Sequence, residues 1–281
     1  MAYALLRYCP RTMKIVLVEW AAYPLARNKI VGKQRVRCGL GRALQNMARW
    51  PAGLPFEVLL IINRAEPGTN SKGLLSGARA RLSRVLRQDE RRKVERRMNI
   101  YATLPQHYSF VRHVHFRDNQ GQDFGAYDFG YRLLQREGYD GDVLFMNSSV
   151  AGPHRPMWLA KYREQFRRHP NVGLCGISLN SHDTTKEDGR FAPHVQSYFL
   201  YTNMQILKRA VGSCLLEVDT KDKLDVIEHG EIGISARVLD AGYGITASSF
   251  PEFAYRKGEP WAIPYGDLRY KPRHALPANR M

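Results

Sequence analysis

Short apolar runs rich in β-branched residues, alternating with stretches of helical spacing, constrain this chain more than any other feature. Met13–Glu19 (MKIVLVE) and Phe56–Ile62 (FEVLLII) read as fully buried strands. Arg112–Phe116 and Asp142–Met146 read as two more, and Val172–Ile177, His194–Tyr201 and Gly244–Ala247 continue the series. Between them, Arg37–Ala48 places Leu40, Leu44 and Met47 on one helical face. Ala126–Glu137, Pro156–His169, Asn203–Val211 and Glu231–Ala241 follow the same period, the last stopped at Gly242. Ser181–Pro193 reads as a polar loop. Strands that alternate with helices predict an α/β fold with a mostly parallel central sheet covered by helices. A chain of 281 residues can close such a core in one domain, here 1–255, and residues 256–281 read as an irregular basic C-terminal arm.

The formal net charge is +17, which calls for an anionic partner: nucleic acid, an anionic membrane surface or a phosphorylated substrate. A net +6 of that charge lies in Ser76–Met98, predicted as an amphipathic helix with a strongly basic face. Such a helix can lie on an anionic membrane or be a solvated surface eased by Asp89, Glu90 and Glu95. No apolar run approaches the roughly 18 residues of a membrane span. Met1–Met13 lacks the apolar core of a signal peptide, so the expectation is a soluble or peripheral protein on the cytoplasmic side. Cys9, Cys38, Cys175 and Cys214 are scattered and predict neither a zinc site nor a disulfide framework.

Ligands of open α/β sheets sit at the carboxyl ends of strands, which directs attention to two polar strand ends. Asn119–Gly125 is a turn in which Gly121 and Gly125 permit sharp bending and close backbone approach. Its Asp123 could accept a hydrogen bond from a ribose or sugar hydroxyl, or cap the following helix. The second end is Asn147-Ser148-Ser149, where Asn147 and Ser149 offer neutral oxygens that a hard cation binds poorly. Farther on, Glu231 is predicted at a helix start, where the dipole keeps a carboxylate ionised and suited to act as a general base, or simply to cap. Glu228 is a nearby competitor. Strand alternation places His194, Gln196 and Tyr198 on one face, as a pocket wall. No GxxxxGK[ST], GxGxxG, HExxH or GxSxG signature is present.

The ordered elements Asn119-x-Gly121-x-Asp123-Phe124-Gly125-Ala126-Tyr127, Phe145-Met146-Asn147-Ser148-Ser149 with Gly152-Pro153, Gln196-Ser197-Tyr198-Phe199, and Glu231-x-Gly233-x-Ser235 with Gly242-Tyr243 resemble the rhamnan synthesis protein F family of glycosyltransferases. The resemblance implies a GT-A-like fold with a nucleotide-sugar-binding half, 13–150, and an acceptor-binding half, 151–255. It implies transfer of a sugar from a nucleotide-activated donor to a cell-surface polysaccharide or its lipid-linked precursor, at the inner face of the cell membrane. Tyr23 would stack on the donor base near the end of the first strand, and Asn63 would stand where such enzymes often carry a nucleotide-contacting acid. Asn119, Gly121, Asp123, Gly125, Asn147 and Ser149 would complete the donor side, and His194, Gln196 and Tyr198 the acceptor side. Glu231 would be the base of an inverting reaction. Many nucleotide-sugar enzymes place D-x-D where this chain has Asn147 to Ser149, so either Arg or Lys neutralises the diphosphate without a metal, or a divalent metal (Mg or Mn) takes a carboxylate from elsewhere. The competing readings are a nucleic-acid-binding protein, for which no recognised module is found, and a non-catalytic protein that keeps the fold.

Overall fold

The computed structural model describes residues 12–31, 34–65, 77–183, 185–187 and 189–263. The chain begins with β1 (Met13–Trp20), followed by a hairpin of β2 (Arg27–Val31) and β3 (Gln34–Cys38) and by α1 (Leu40–Arg49). Next come β4 (Phe56–Asn63), α2 (Gly77–His107), β5 (Val111–Arg117), α3 (Gln122–Arg136), β6 (Asp142–Asn147) and α4 (Trp158–Arg168). The second half contains β7 (Val172–Gly176), the hairpin β8 (Leu179–His182) and β9 (Phe191–Val195), β10 (Phe199–Asn203) and α5 (Met204–Val211). It closes with α6 (Lys223–Asp225), a wide π-type turn over Val226–Ile232, α7 (Gly233–Asp240), β11 (Gly244–Ala247) and β12 (Phe250–Tyr255).

Eight strands form the central sheet in the order β12-β11-β7-β10-β6-β1-β4-β5. β1 lies parallel to both β4 and β6, and β5 is parallel to β4. β10 runs antiparallel between β6 and β7, and β12 is an antiparallel edge. This is the α/β class that the alternating pattern predicts.

Alternation along β1 divides the core into two layers. Ile15 and Leu17 pack with Leu40 and Leu44 of α1, Tyr101 of α2 and Tyr162 of α4, whereas Val16 and Val18 pack with Phe124, Tyr127 and Tyr131 of α3 and Val238 of α7. Each fully buried aliphatic side chain contributes about 1.5–3 kcal/mol by leaving water, so both faces of β1 stabilise the sheet. α3 approaches β1 closely because Gly130 has no side chain: a Cβ there would lie 2.6 Å from Val16 Cγ1.

Four local expectations change. Arg37 and Cys38 belong to β3, paired with Asn28 and Arg27, and α1 begins only after Gly39, whose φ of 111° breaks a helix path. The expected loop 181–193 contributes to the β8–β9 hairpin. The expected strand His194–Tyr201 is two strands in different sheets: β9 ends at Val195, and Gln196 to Tyr198 turn the chain into β10. A period-2 pattern continues through such a turn and does not mark it. Finally, the helical path that holds Glu231 starts upstream, at Asp222, whose side chain caps the N–H groups of Leu224 and Asp225. Glu231 therefore lies inside the π-type turn, and a helix-start dipole is not what stabilises its charge.

The basic segment is helical and extends to His107, beyond the expected end at Met98. Residues 264–281 of the expected C-terminal arm, Cys9, and the side chains of Arg79, Arg81, Arg84 and Arg87 lie outside the described set. Among the described residues no helix is long and apolar enough to cross a membrane.

Candidate functional site

From β1 the chain builds the sheet outward through β4 and β5, then returns to place β6 on the other side of β1. At such a reversal the loops leaving the two strands diverge and open a crevice. A cavity of about 640 Å³ lies there, bordered by the ends of β1 and β6, the start of α3, the turn before β10 and the π-type turn.

One wall is ionic and aromatic. Glu19, 1% exposed at the end of β1, faces Arg27 Nη1 at 3.2 Å and also accepts hydrogen bonds from the backbone N–H groups of Trp20 and Leu40. Burial raises the Glu19 pKa, and Arg27, the Ser148 hydroxyl and those N–H groups oppose the rise without cancelling it. Arg27 Nη2 donates to Ser148 Oγ at 2.8 Å, and its guanidinium lies 4.1 Å from the Tyr23 ring centroid. Tyr23 in turn meets Trp20 edge to face at 4.9 Å. Buried Arg27 Nε and Trp20 Nε1 find no acceptor among the described residues.

The second wall joins the two predicted strand ends. Asn147 Nδ2 donates to Asp123 Oδ2 at 2.7 Å, while Asn147 Oδ1 accepts from the backbone N–H and hydroxyl of Ser149. Asp123 is in the first turn of α3, but no side chain caps that helix. The carboxylate instead links α3 to β6.

The third wall carries Glu231. Its carboxylate accepts the Ser197 backbone N–H at 2.8 Å and stands 3.5 Å from His194 Nε2. The side chain is 15% exposed and borders the cavity. Burial alone would raise its pKa, but His194 and Ser197 together outweigh burial and hold the carboxyl below its ordinary value. Tyr127, fully buried, donates its hydroxyl to the Ser197 carbonyl at 3.0 Å. Burial and then the Asp123 and Glu231 carboxylates push its pKa well up, so it stays a neutral donor. Gly230 lets the π-type turn press onto α3, since a Cβ there would lie 2.5 Å from the Phe124 ring. π-type turns recur at functional sites, and this one aims Glu231 inward.

Of the residues predicted from sequence, Tyr23, Asp123, Asn147, Ser149, Gln196, Tyr198 and Glu231 line this cavity. Asn63, Asn119, Gly121, Gly125 and His194 do not. Asn63 is buried beneath it, donating to the Gln122 carbonyl and accepting from Arg117, so it braces the α3 start. Gly121 and Gly125 are required by packing: a Cβ on the first would meet Leu216, and one on the second would strike the Gln120 carbonyl oxygen. His194 sits behind Glu231, 2% exposed, and offers no face to an acceptor. Tyr198 is nearly buried and hydrogen-bonded to Ser178.

Sequence reasoning missed Glu19, Arg27, Lys223 and Asn180, all of which line the cavity. Glu19 carried a usable signal, an acid at the carboxyl end of the first buried strand. Arg27 and Lys223 are cations among 43 Lys and Arg, with nothing local to distinguish them.

A sequence model of the family described as rhamnan synthesis protein F matches residues 102–248. The match begins within α2 and takes in Asp123, Asn147 and Glu231, but not Glu19, Tyr23 or Arg27. No curated protein matches the chain. Among solved structures, a Desulfovibrio desulfuricans G20 protein assigned as a nucleotide-diphospho-sugar transferase is similar, at 13% identity and a TM-score of 0.35 over 84% of this chain and 78% of that one.

Proposed function

The chain belongs to the rhamnan synthesis protein F family of glycosyltransferases, and on that premise we propose that its cavity transfers a sugar from a nucleoside diphosphate donor to a saccharide hydroxyl, with inversion at the anomeric carbon. The observation that carries this reading is one cavity holding an ionised, partly buried Glu231 together with the cations Arg27 and Lys223.

Glu231 removes the proton of the acceptor hydroxyl as that oxygen bonds to the anomeric carbon. The bond from that carbon to the diphosphate breaks, and its electron pair leaves with the nucleoside diphosphate. Arg27 and Lys223 balance the charge that grows on the leaving group, a form of electrostatic stabilisation. Tyr23 and Trp20 offer ring surface for the base, and Asp123 with Asn147 offers hydrogen bonds to sugar hydroxyls. General-base assistance of this kind is worth about 10²–10⁴-fold.

Of the donor-side residues predicted from sequence only Asp123 carries a carboxylate, so a Mg or Mn ion there would take most of its oxygens from the donor diphosphate and water. Among the described residues no three His, Cys, Asp or Glu side chains cluster to hold one. Asn147 turns its amide N–H to Asp123, and its oxygen is taken by Ser149. The acceptor is a growing surface polysaccharide or its lipid-linked precursor, and exposed Arg91, Arg92 and Arg96 on α2 suit an anionic membrane surface nearby.

The reading is tested by thermal shift and donor hydrolysis across UDP-, GDP- and dTDP-sugars. At 100 times the dissociation constant one donor should stabilise the protein by about 2.7 kcal/mol. No shift with any nucleotide sugar at millimolar concentration would remove the proposal.

A further inference from the structure

We propose that His194 and Glu231 act as one proton-holding pair, in which His194 is a positioning residue that keeps Glu231 charged and aimed into the cavity. The proposal rests on the reading of Glu231 as the base, and it replaces an acceptor-binding role for His194.

The tautomer follows from the partners. His194 Nδ1 lies 2.7 Å from the Ala192 carbonyl oxygen, which can only accept, so Nδ1 carries a proton. Nε2 then faces Glu231 Oε1 at 3.5 Å, within ion-pair reach though long for a hydrogen bond. A neutral imidazole with its proton on Nδ1 would point a lone pair at the carboxylate. Both groups are largely withdrawn from water, where that repulsion is poorly screened. A proton between Nε2 and Oε1 removes it, and both ring nitrogens then have an acceptor. The Ser197 N–H fills the other carboxylate oxygen at 2.8 Å.

Among the described residues, the neighbours of the pair supply no substitute cation at the same spot. From α3, the Tyr127 hydroxyl is turned to the Ser197 carbonyl and Asp123 is turned to Asn147. From α7, the Ser235 hydroxyl accepts the Val195 N–H and reaches the Glu231 carbonyl oxygen. Asn180 on β8 pairs with His194 across the hairpin. Lys223 on α6 borders the cavity from its exposed side. Glu228, one turn earlier, is tied to Lys186 and Arg190 instead. His194 is thus the side chain placed to aim Glu231 and to oppose the effect of its burial. When Glu231 takes the acceptor proton, the carboxylic acid faces the His194 ring, and that proton returns to water through the cavity after product leaves.

Two measurements on the full chain test the pair. In ¹⁵N-histidine NMR without substrate, His194 should carry a proton on Nδ1, and its Nε2 signal should shift in Glu231→Gln while the Nδ1 proton is retained. His194 signals that are unchanged by Glu231→Gln would overturn the proposal, whatever the enzyme transfers. In the rate profile, His194→Phe should move the acidic limb of kcat/KM upward by about one pH unit or more, because only the Ser197 N–H then opposes the effect of burial on Glu231. His194→Gln, whose amide can still donate, should move it less. A loss of kcat in His194→Phe with the limb unmoved would mean that His194 only supports the fold, and would also overturn it. Should wild-type protein transfer no sugar from any donor, the functional reading fails, while the NMR result still decides whether the pair exists.

Discussion

Arg27 lies over the ring of Tyr23, its guanidinium carbon 4.1 Å from the ring centroid, while its terminal nitrogens are turned to Glu19 and Ser148. The planar fork is thereby fixed on two sides before any ligand arrives. Lys cannot reproduce this, since an ammonium has neither the fork nor the stacking face. Arg27→Lys should keep the fold yet weaken donor binding by about 10-fold or more, a change of about 1.4 kcal/mol. Isothermal titration with the preferred nucleotide sugar checks this, and unchanged affinity would remove Arg27 from the donor site.

Glu231 and Glu228 are three positions apart and have opposite surroundings. Glu231 borders the cavity against His194, and Glu228 is paired at the surface with Lys186 and Arg190. Glu231→Gln should leave donor affinity intact and reduce transfer by about 10²-fold or more, and Glu228→Gln should have little effect. The sign of the pH dependence is fixed by the depressed carboxyl: activity that needs ionised Glu231 persists as pH falls through the ordinary carboxylate value and is lost only below it. Equal, small losses in the two variants would remove Glu231 as the base.

The motifs around Asp123, Asn147 and Glu231 were legible because each combines polar residues with a strand end or helix turn of clear period. What the pattern could not show was how far each residue stands from solvent. Asn63 and His194 look in sequence like site residues, yet one is a brace and the other is packed behind Glu231. Gly121 and Gly125 look like a ligand-cradling loop, but their missing Cβ atoms are needed by Leu216 and by the Gln120 carbonyl. The split of His194–Tyr201 into two strands was invisible because alternation persists across a turn. Arg27 was invisible because its place in the cavity wall depends on a contact with Ser148, 121 positions away.

Gly125 gives a stability prediction independent of function. A Cβ there would strike the Gln120 backbone oxygen, which cannot swing aside as a side-chain end could. Gly125→Ala should destabilise the protein by about 1–3 kcal/mol, the range for overpacking. Urea denaturation measures this. Retained stability would show that the turn before α3 relaxes freely.

Metal dependence follows from the Asn147 arrangement. With the Asn147 amide committed to Asp123 and Ser149, chelation by EDTA should reduce transfer only modestly. If EDTA abolishes transfer and Mn²⁺ restores it, a carboxylate of this wall is a ligand, and Asp123→Asn becomes the decisive variant.

The basic helix α2 does two different things along its length. Arg91, Arg92 and Arg96 are exposed, and Lys93 pairs with Asp89 one turn back. Arg97 instead turns inward and donates to the Ala22 carbonyl at 2.6 Å, in the loop that carries Tyr23. Each basic residue near an anionic surface contributes about 1 kcal/mol, and this fades within a Debye length. Binding to phosphatidylserine-containing vesicles should therefore be strong at low salt and largely lost near about 0.5 M NaCl, where the Debye length is a few ångströms. Replacing Arg91, Arg92 and Arg96 by Gln should weaken vesicle binding and leave donor affinity unchanged. Arg97→Gln should do the reverse, loosening the Tyr23 loop and lowering donor affinity with little change at the vesicle. Co-sedimentation and nucleotide titration on the same variants separate the two effects. Vesicle binding that survives high salt would point to an apolar anchor, and no binding at low salt would make the exposed arginines a solvated helix face.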